Sequence, residues 1–315
     1  MLRGAKLEFK HKPVMLEECI EGLNIRKNEI YVDGTIGGAG HSKEIAKKLE
    51  DTGKIIAIDR DEEALKAAKE NLKEFTNIIY VHENHDNLKK ILEDLDIDGV
   101  SGILLDLGVS SYQLDERNRG FSYLGENNLD MRMDKTQSLT AEKVINEYTE
   151  KQLADIIFQY GEERFAKKIA KNICEFRKEK HIRTTKELVG IIEKSIPLSK
   201  QNDGHPAKRT FQAIRIEVNN EIKPLYNTII DCIDCLKPNG RLCVITFHSL
   251  EDRAVKNAMI DSNGKCTCPP DLPYCVCGAK SKGKMITKKP ILPTENEIQE
   301  NSRSKSAKLR IFEKK

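Results

Sequence analysis

The sequence predicts an α/β fold: a mainly parallel sheet of about seven strands, interrupted by an all-helical insertion. Two observations carry this. Short β-branched apolar runs alternate with helical patterns at both ends of the chain, and a stretch of roughly ninety residues between them contains helical patterns and no strand. The runs are continuous rather than alternating, which marks strands covered on both faces, as in a parallel sheet.

The elements follow in order. "EIYVDG" reads as a first strand, with a helix from about Ser42 to Leu49 behind it. "GKIIAIDRD" precedes the helical "EEALKAAKENLKEF", "NIIYVHE" precedes "HDNLKKILEDL", and "VSGILLDLG" forms a fourth strand. Each connection is long enough for a helical crossover between parallel strands. Residues 109–135 are polar and loop-like. From about 140 to 200 come "AEKVINEY", "KQLADIIFQY", "EERFAKKIAKNICEFRKE" and "TTKELVGIIEKSI", all with helical spacing. A long helix from about Pro206 to Leu236 then leads to the strand "GRLCVITF", and "KMITKKPI" and "AKLRIFEK" supply the last two. The expected division is a sheet domain formed by 1–114 and 206–315, with 115–205 as the insertion.

Composition narrows the class. The chain has 315 residues, 38% hydrophobic and 33% charged, with a formal net charge of +3. It contains no apolar run of about 20 residues, the length of a membrane span, and its N-terminus lacks a secretory h-region. Nine cysteines, an odd number, suit a reducing compartment, so a cytoplasmic location is expected. The charge is unevenly spread: residues 151–183 hold nine Lys/Arg against five Asp/Glu, and 278–315 hold eleven against four. Solvated surface explains such runs as readily as a polyanionic partner does.

"VDGTIGGAGHS" packs Gly34, Gly37, Gly38 and Gly40 behind the first strand. A glycine-rich turn there lets backbone N–H groups and a helix N-terminus meet a nucleotide-like ligand, although it can also serve close packing of helix on sheet. The Walker pattern is absent. The dinucleotide pattern fails at its third glycine, where Lys43 stands. A site for S-adenosyl-L-methionine asks for acids ending the first two strands, and Asp33 and Asp59 occupy those places. Asp59 can accept hydrogen bonds from both ribose hydroxyls. Thr35 and Ala39 stand where that loop commonly has glycine. In "ILLDLGVSSYQLD", Asp106 ends the fourth strand beside the crevice in which open α/β sheets bind ligands, with Ser110, Ser111 and Gln113 just beyond.

Together with "HKPVMLEE", "RGFSY", "LDMRMD", "GEERFAKKIA", "HPAKRTFQAIRIEVNNE", "VITFHSLEDRAVK" and "NSRSKSAKLRIFEK", these motifs resemble, in order, the ribosomal RNA small subunit methyltransferase H family from His11 to the C-terminus. The resemblance implies a class I, Rossmann-like methyltransferase sheet with a helical insertion. It also implies S-adenosyl-L-methionine as methyl donor and N4 of a cytidine in 16S rRNA as acceptor. Carried onto matching positions, cofactor contacts fall on Ala39, Gly40, His41, Asp59, Asp106 and Gln113. His85 stands where the family usually has a phenylalanine; its imidazole can stack on an adenine with less apolar area.

The chain lacks the Asp/Asn-Pro-Pro-aromatic motif of many amino-methyltransferases. Asp106 or His248 is therefore the candidate acceptor for the amine proton, with His205 of "HPAKR" a further alternative. Arg117, Arg119, Arg132, Lys208, Arg209 and Arg215 lie in polar or helix-start segments bordering the proposed crevice and are candidate phosphate contacts for RNA, with solvated surface the alternative; the insertion is the expected RNA-recognition segment. "CTCPPDLPYCVC" offers Cys266, Cys268, Cys275 and Cys277, enough for a tetrahedral structural zinc; the alternative is a reduced loop. Two rival functions remain open from sequence: a methyltransferase with another acceptor, and a nucleotide-dependent RNA-binding protein without catalysis.

Overall fold

The computed structural model describes residues 13–201, 204–264, 268–269, 272, 274 and 280–315. Seven strands form one sheet: β1 (Ile30–Asp33), β2 (Lys54–Asp59), β3 (Ile78–His82), β4 (Val100–Asp106), β5 (Leu236–Thr246), β6 (Gly283–Met285) and β7 (Lys308–Lys314). Their order is β3-β2-β1-β4-β5-β7-β6. The first five are parallel, and β7 runs antiparallel between β5 and β6. The order reverses direction beside β1, between β1 and β4, so the loops after these two strands splay apart and leave a crevice at their carboxyl ends. The central strands are buried on both faces, β4 from Val100 to Leu105 without interruption, as the continuous apolar runs require.

The contacts divide the chain into two units. One comprises the residues up to Gly108 together with Tyr226–Lys315; the other is Val109–Leu225. The sheet unit has its own core, built from residues such as Tyr31, Ile45, Ile55, Leu104, Ile245 and Leu309. The second unit is helical. Its principal helices are Ala141–Glu147, Glu150–Gly161, Ala166–Glu179, Thr185–Ser195 and Lys208–Asn219. Thr140, Thr149 and Thr184 cap three of them, and Thr149 and Thr184 close full capping boxes with Gln152 and Glu187. Each such cap is worth about 1 kcal/mol. The apolar stripes of these helices meet in a separate core containing Ile145, Leu153, Ile157, Ile169, Ile173, Leu188 and Ile192.

The single long helix expected over 206–236 is two helices, Lys208–Asn219 and Leu225–Asp234, followed directly by β5 from Leu236. Asn220 ends the first in a left-handed conformation (φ 50°), donating its N–H back to Glu217 and Ile216, and Pro224 prevents helical continuation up to the second. Lys208–Asn219 belongs to the helical unit rather than to the sheet domain. Phe211, Ile214 and Val218 bury its apolar face in the helical core.

Candidate active site

The turn after β1 is held from three sides. The Gly34 N–H donates to Leu104 O at 2.9 Å and the Ile36 N–H to Ile58 O at 3.0 Å, tying it to β4 and β2. The side chain of Thr35, read from sequence only as a missing glycine, accepts the backbone N–H of Asp106 at 2.7 Å. Gly37 and Ala39 both have positive φ, 45° and 65°, and Ala39 is the N-cap of the helix Gly40–Leu49. A left-handed alanine costs roughly 1–2 kcal/mol, which the surrounding bonds offset. At Gly40, a Cβ would lie 2.1 Å from Pro13 Cγ, so close approach excludes a side chain there. At Gly38, a Cβ would meet nothing within 4 Å: the loop's outer face is open.

Two acids anchor this loop. Asp33 is 2% exposed, and its carboxylate accepts from Ser42 Oγ (2.6 Å) and the Thr35 N–H (3.2 Å). Burial nevertheless raises its pKa to about 6. Asp59 accepts from the Gly37 N–H at 3.0 Å through Oδ2 and from the Asp61 N–H at 2.9 Å through Oδ1. Each oxygen keeps a further lone pair for a ligand hydroxyl. Burial pushes the Asp59 pKa up, against those two backbone bonds.

Asp106, at the end of β4, differs from both. Its Oδ1 is buried and has no hydrogen-bond partner among the described residues. Burial, then the negative charges of Asp33 and Glu251, raise its pKa to about 8. Near neutral pH the group is a carboxylic acid held where a cation or an N–H would satisfy it, which is the chemistry of a sulfonium or an amine. An unsatisfied buried oxygen is costly and concentrates at sites that bind something.

The other sequence-derived positions divide. His85, in the turn after β3, stands beside Gly34, where a Cβ would lie 3.2 Å from His85 Cβ. Burial lowers its pKa to about 4, only partly opposed by Asp86, so the ring is neutral and available for stacking. His41 is 7% exposed, with Nε2 3.0 Å from Val14 O, so its ring links the helix Gly40–Leu49 to the chain preceding it. His248 is the N-cap of the helix Ser249–Ser262: its Nδ1 faces the Glu251 N–H at 3.5 Å and its Nε2 lies 3.0 Å from Glu251 Oε1. Its Nδ1 therefore has a structural role, while its Nε2 is buried with no hydrogen-bond partner among the described residues.

Gln113 lies in the helical unit, where its Oε1 accepts the Ser110 N–H at 3.0 Å in a capping box. In the same unit His205 stacks on Tyr123, centroids 4.5 Å apart, with Nδ1 accepting the Ala207 N–H. Three of the candidate phosphate ligands are committed internally. Arg119 is 3% exposed and donates to the carbonyls of Arg132 and Met133. Arg132 grips Asp130 and the carbonyls of Lys135 and Gln137, and Arg215 forms a two-pronged pair with Glu221. A planar guanidinium that braces loops in this way has few donors left for phosphate. Lys208 and Arg209 are exposed; the side chain of Arg117 is outside the described residues. Cys266, Cys275 and Cys277 also lie outside them, and Cys268 is half-buried.

Comparison with known proteins agrees with this geometry. The sequence pattern of the MraW methylase family matches residues 8–315. The chain is 57% identical over 313 residues to "Ribosomal RNA small subunit methyltransferase H" of Lachnospira eligens, covering 99% of each protein. It is also 57% identical over 308 residues to the protein of the same name from Clostridium botulinum strain Kyoto, covering 98% of this chain and 100% of that one. The glycine loop, the acids ending β1, β2 and β4, and near-full-length identity therefore lead to one conclusion: this chain belongs to the MraW methylase family.

Proposed function

We infer that the protein transfers a methyl group from S-adenosyl-L-methionine to the exocyclic N4 amine of a cytidine in 16S rRNA. The observation that carries this reading is Asp106: a buried, unpartnered carboxyl group at the carboxyl end of β4, joined through Thr35 to the glycine loop. The residues fit the cofactor's functional groups. Asp59 has lone pairs for the ribose hydroxyls, the open face at Gly38 admits a ligand against backbone, and Ala39, Gly40 and His41 begin the helix behind it. His85 is neutral and suited to stacking on adenine. The assignment of Gln113 as a cofactor contact rests on the family resemblance alone.

The bound cofactor supplies the electrophilic methyl; the chain's residues must prepare the nucleophile. The N4 lone pair of cytosine is delocalised into the ring, so the amine must be turned, aligned and relieved of a proton. Alignment contributes up to about 7–11 kcal/mol in ideal cases, and a positioned base about 10²–10⁴-fold. Asp106 accepts the hydrogen bond from the amine once it has lost its own proton, and a neighbouring positive charge favours that loss. We assign this role to Asp106, which ends β4 beside the glycine loop, rather than to His248, whose Nδ1 caps the helix Ser249–Ser262. The target cytidine must be unstacked to reach such a crevice, which favours an unpaired nucleotide. The helical unit recognises the RNA. Among the described residues no helix is long and apolar enough to cross a membrane, and a ribosomal substrate locates the enzyme in the cytoplasm. A structural zinc on Cys266, Cys268, Cys275 and Cys277 completes the proposal.

The test is methyl transfer from labelled S-adenosyl-L-methionine to small ribosomal subunits lacking the modification, with the product mapped. Label on N4 of one cytidine is expected. Label on another atom, or none with a cofactor-binding protein, overturns the reading.

A further inference from the structure

Lys167, Lys168 and Lys171 share one face of the helix Ala166–Glu179, and Arg164 lies in the turn just before it. The opposite face, Ala166, Ile169, Ala170 and Ile173, is fully buried in the helical core. All four cations are exposed, and none forms an ion pair with a described residue. Lys178, further along the same helix, does pair with Glu175. Like charges at these spacings destabilise a helix by a few tenths of a kcal/mol per pair, so the stripe is held against local helix stability.

Two more cations join it. Lys208 and Arg209 open the helix Lys208–Asn219, exposed at the turn that precedes the stripe. Arg209 Nη1 donates to Glu162 O at 3.3 Å, and a Cβ on Gly161 would lie 2.7 Å from Arg209 O, so the start of this helix adjoins the turn that leads into the stripe. Two acids share this turn. Glu163 is 5% exposed, and its carboxylate accepts the Phe165 N–H at 2.9 Å; Glu162 is the exposed one.

We propose that this surface, formed by Arg164, Lys167, Lys168, Lys171, Lys208 and Arg209, is where the helical unit grips the phosphate backbone of RNA. The proposal rests on the function inferred above. Lysines and arginines set out along one face contact successive phosphates without reading sequence, fixing the orientation from which a base can be presented. The three arginines turned inward, Arg119, Arg132 and Arg215, brace the unit that carries them.

The test uses the full chain and a fluorescent fragment of small-subunit rRNA, with anisotropy measured against KCl concentration. Three variants are compared with the wild type: K167E/K168E/K171E, its milder form K167Q/K168Q/K171Q, and K27E/K66E/K73E, which changes net charge equally in the sheet unit. The stripe variants should lose at least about tenfold in RNA affinity, and the slope of log K against log[salt] should shrink by about 2, or roughly 0.7 per lost phosphate contact. Affinity for S-adenosyl-L-methionine and melting temperature should hold, and the control variant should bind RNA nearly as the wild type does. Equal weakening in the control, or unchanged binding in the glutamine variant, overturns this surface while leaving the function standing. A wild type that neither binds nor methylates small-subunit rRNA removes the function itself.

Discussion

Replacing Asp106 by asparagine should make the ligand-free protein more stable at neutral pH, and less so in acid. The native carboxyl titrates near pH 8, against an ordinary value of 3.8. Below pH 4 the group is protonated in both native and unfolded chains and contributes no pH dependence. Between pH 4 and 8 the unfolded chain binds fewer protons, so native stability falls as pH rises, by about 1.4 kcal/mol for each pH unit. By pH 7 the accumulated loss from this group approaches about 4 kcal/mol, and above pH 8 it levels off. The amide of the variant does not titrate in this range, which removes the slope. Urea titrations of both proteins from pH 4 to 9 give the comparison, free energies being taken from midpoint and slope. The stability difference should open from near zero in acid to about 4 kcal/mol at pH 7, and flatten only above pH 8. Parallel profiles would show that Asp106 ionises normally in the folded protein. The same variant should methylate about 10²–10⁴-fold more slowly in single turnover at saturating cofactor and RNA, an exchange of stability for activity. A near-normal rate there would move the proton acceptor to His248.

Asp59→Ala should weaken S-adenosyl-L-methionine binding by about 1.5–3 kcal/mol, the value of a hydrogen bond to a charged group, read by calorimetry on a folded variant. Because backbone N–H groups of Gly37 and Asp61 lose their acceptor too, Asp59→Asn gives the cleaner comparison, and unchanged affinity in both would remove Asp59 from the site. Replacing residues 116–225 by a short linker, which keeps Gln113, should spare cofactor binding and abolish rRNA methylation, since each unit has its own core; methylation at the same nucleotide after excision would place recognition in the sheet unit. Protein made with zinc and kept from chelators should carry about one metal per chain by elemental analysis, falling in Cys275→Ser; sub-stoichiometric metal, indifferent to that substitution, would favour the reduced loop.

The sequence by itself determined the sheet, the separate helical segment and the location of the cofactor loop. The apolar runs became strands, and the central parallel ones are continuous because covering both faces of a parallel sheet demands it, a local property. The glycines and the acids ending β1, β2 and β4 were equally legible, since a strand's carboxyl end is a position along the chain. Only the tertiary structure decided what those acids are. Asp33, Asp59 and Asp106 look alike in sequence, yet two are hydrogen-bonded, while Asp106 Oδ1 has no partner among the described residues and burial, with Asp33 and Glu251 nearby, raises its pKa. The same reason explains Thr35, whose partner lies on β4, and Arg119, Arg132 and Arg215, basic residues that bond inward. It also explains the helix Lys208–Asn219, drawn into the helical core by its buried face. Periodicity is written into neighbouring residues, whereas desolvation and the choice of partner are set by whichever distant segments the fold brings alongside.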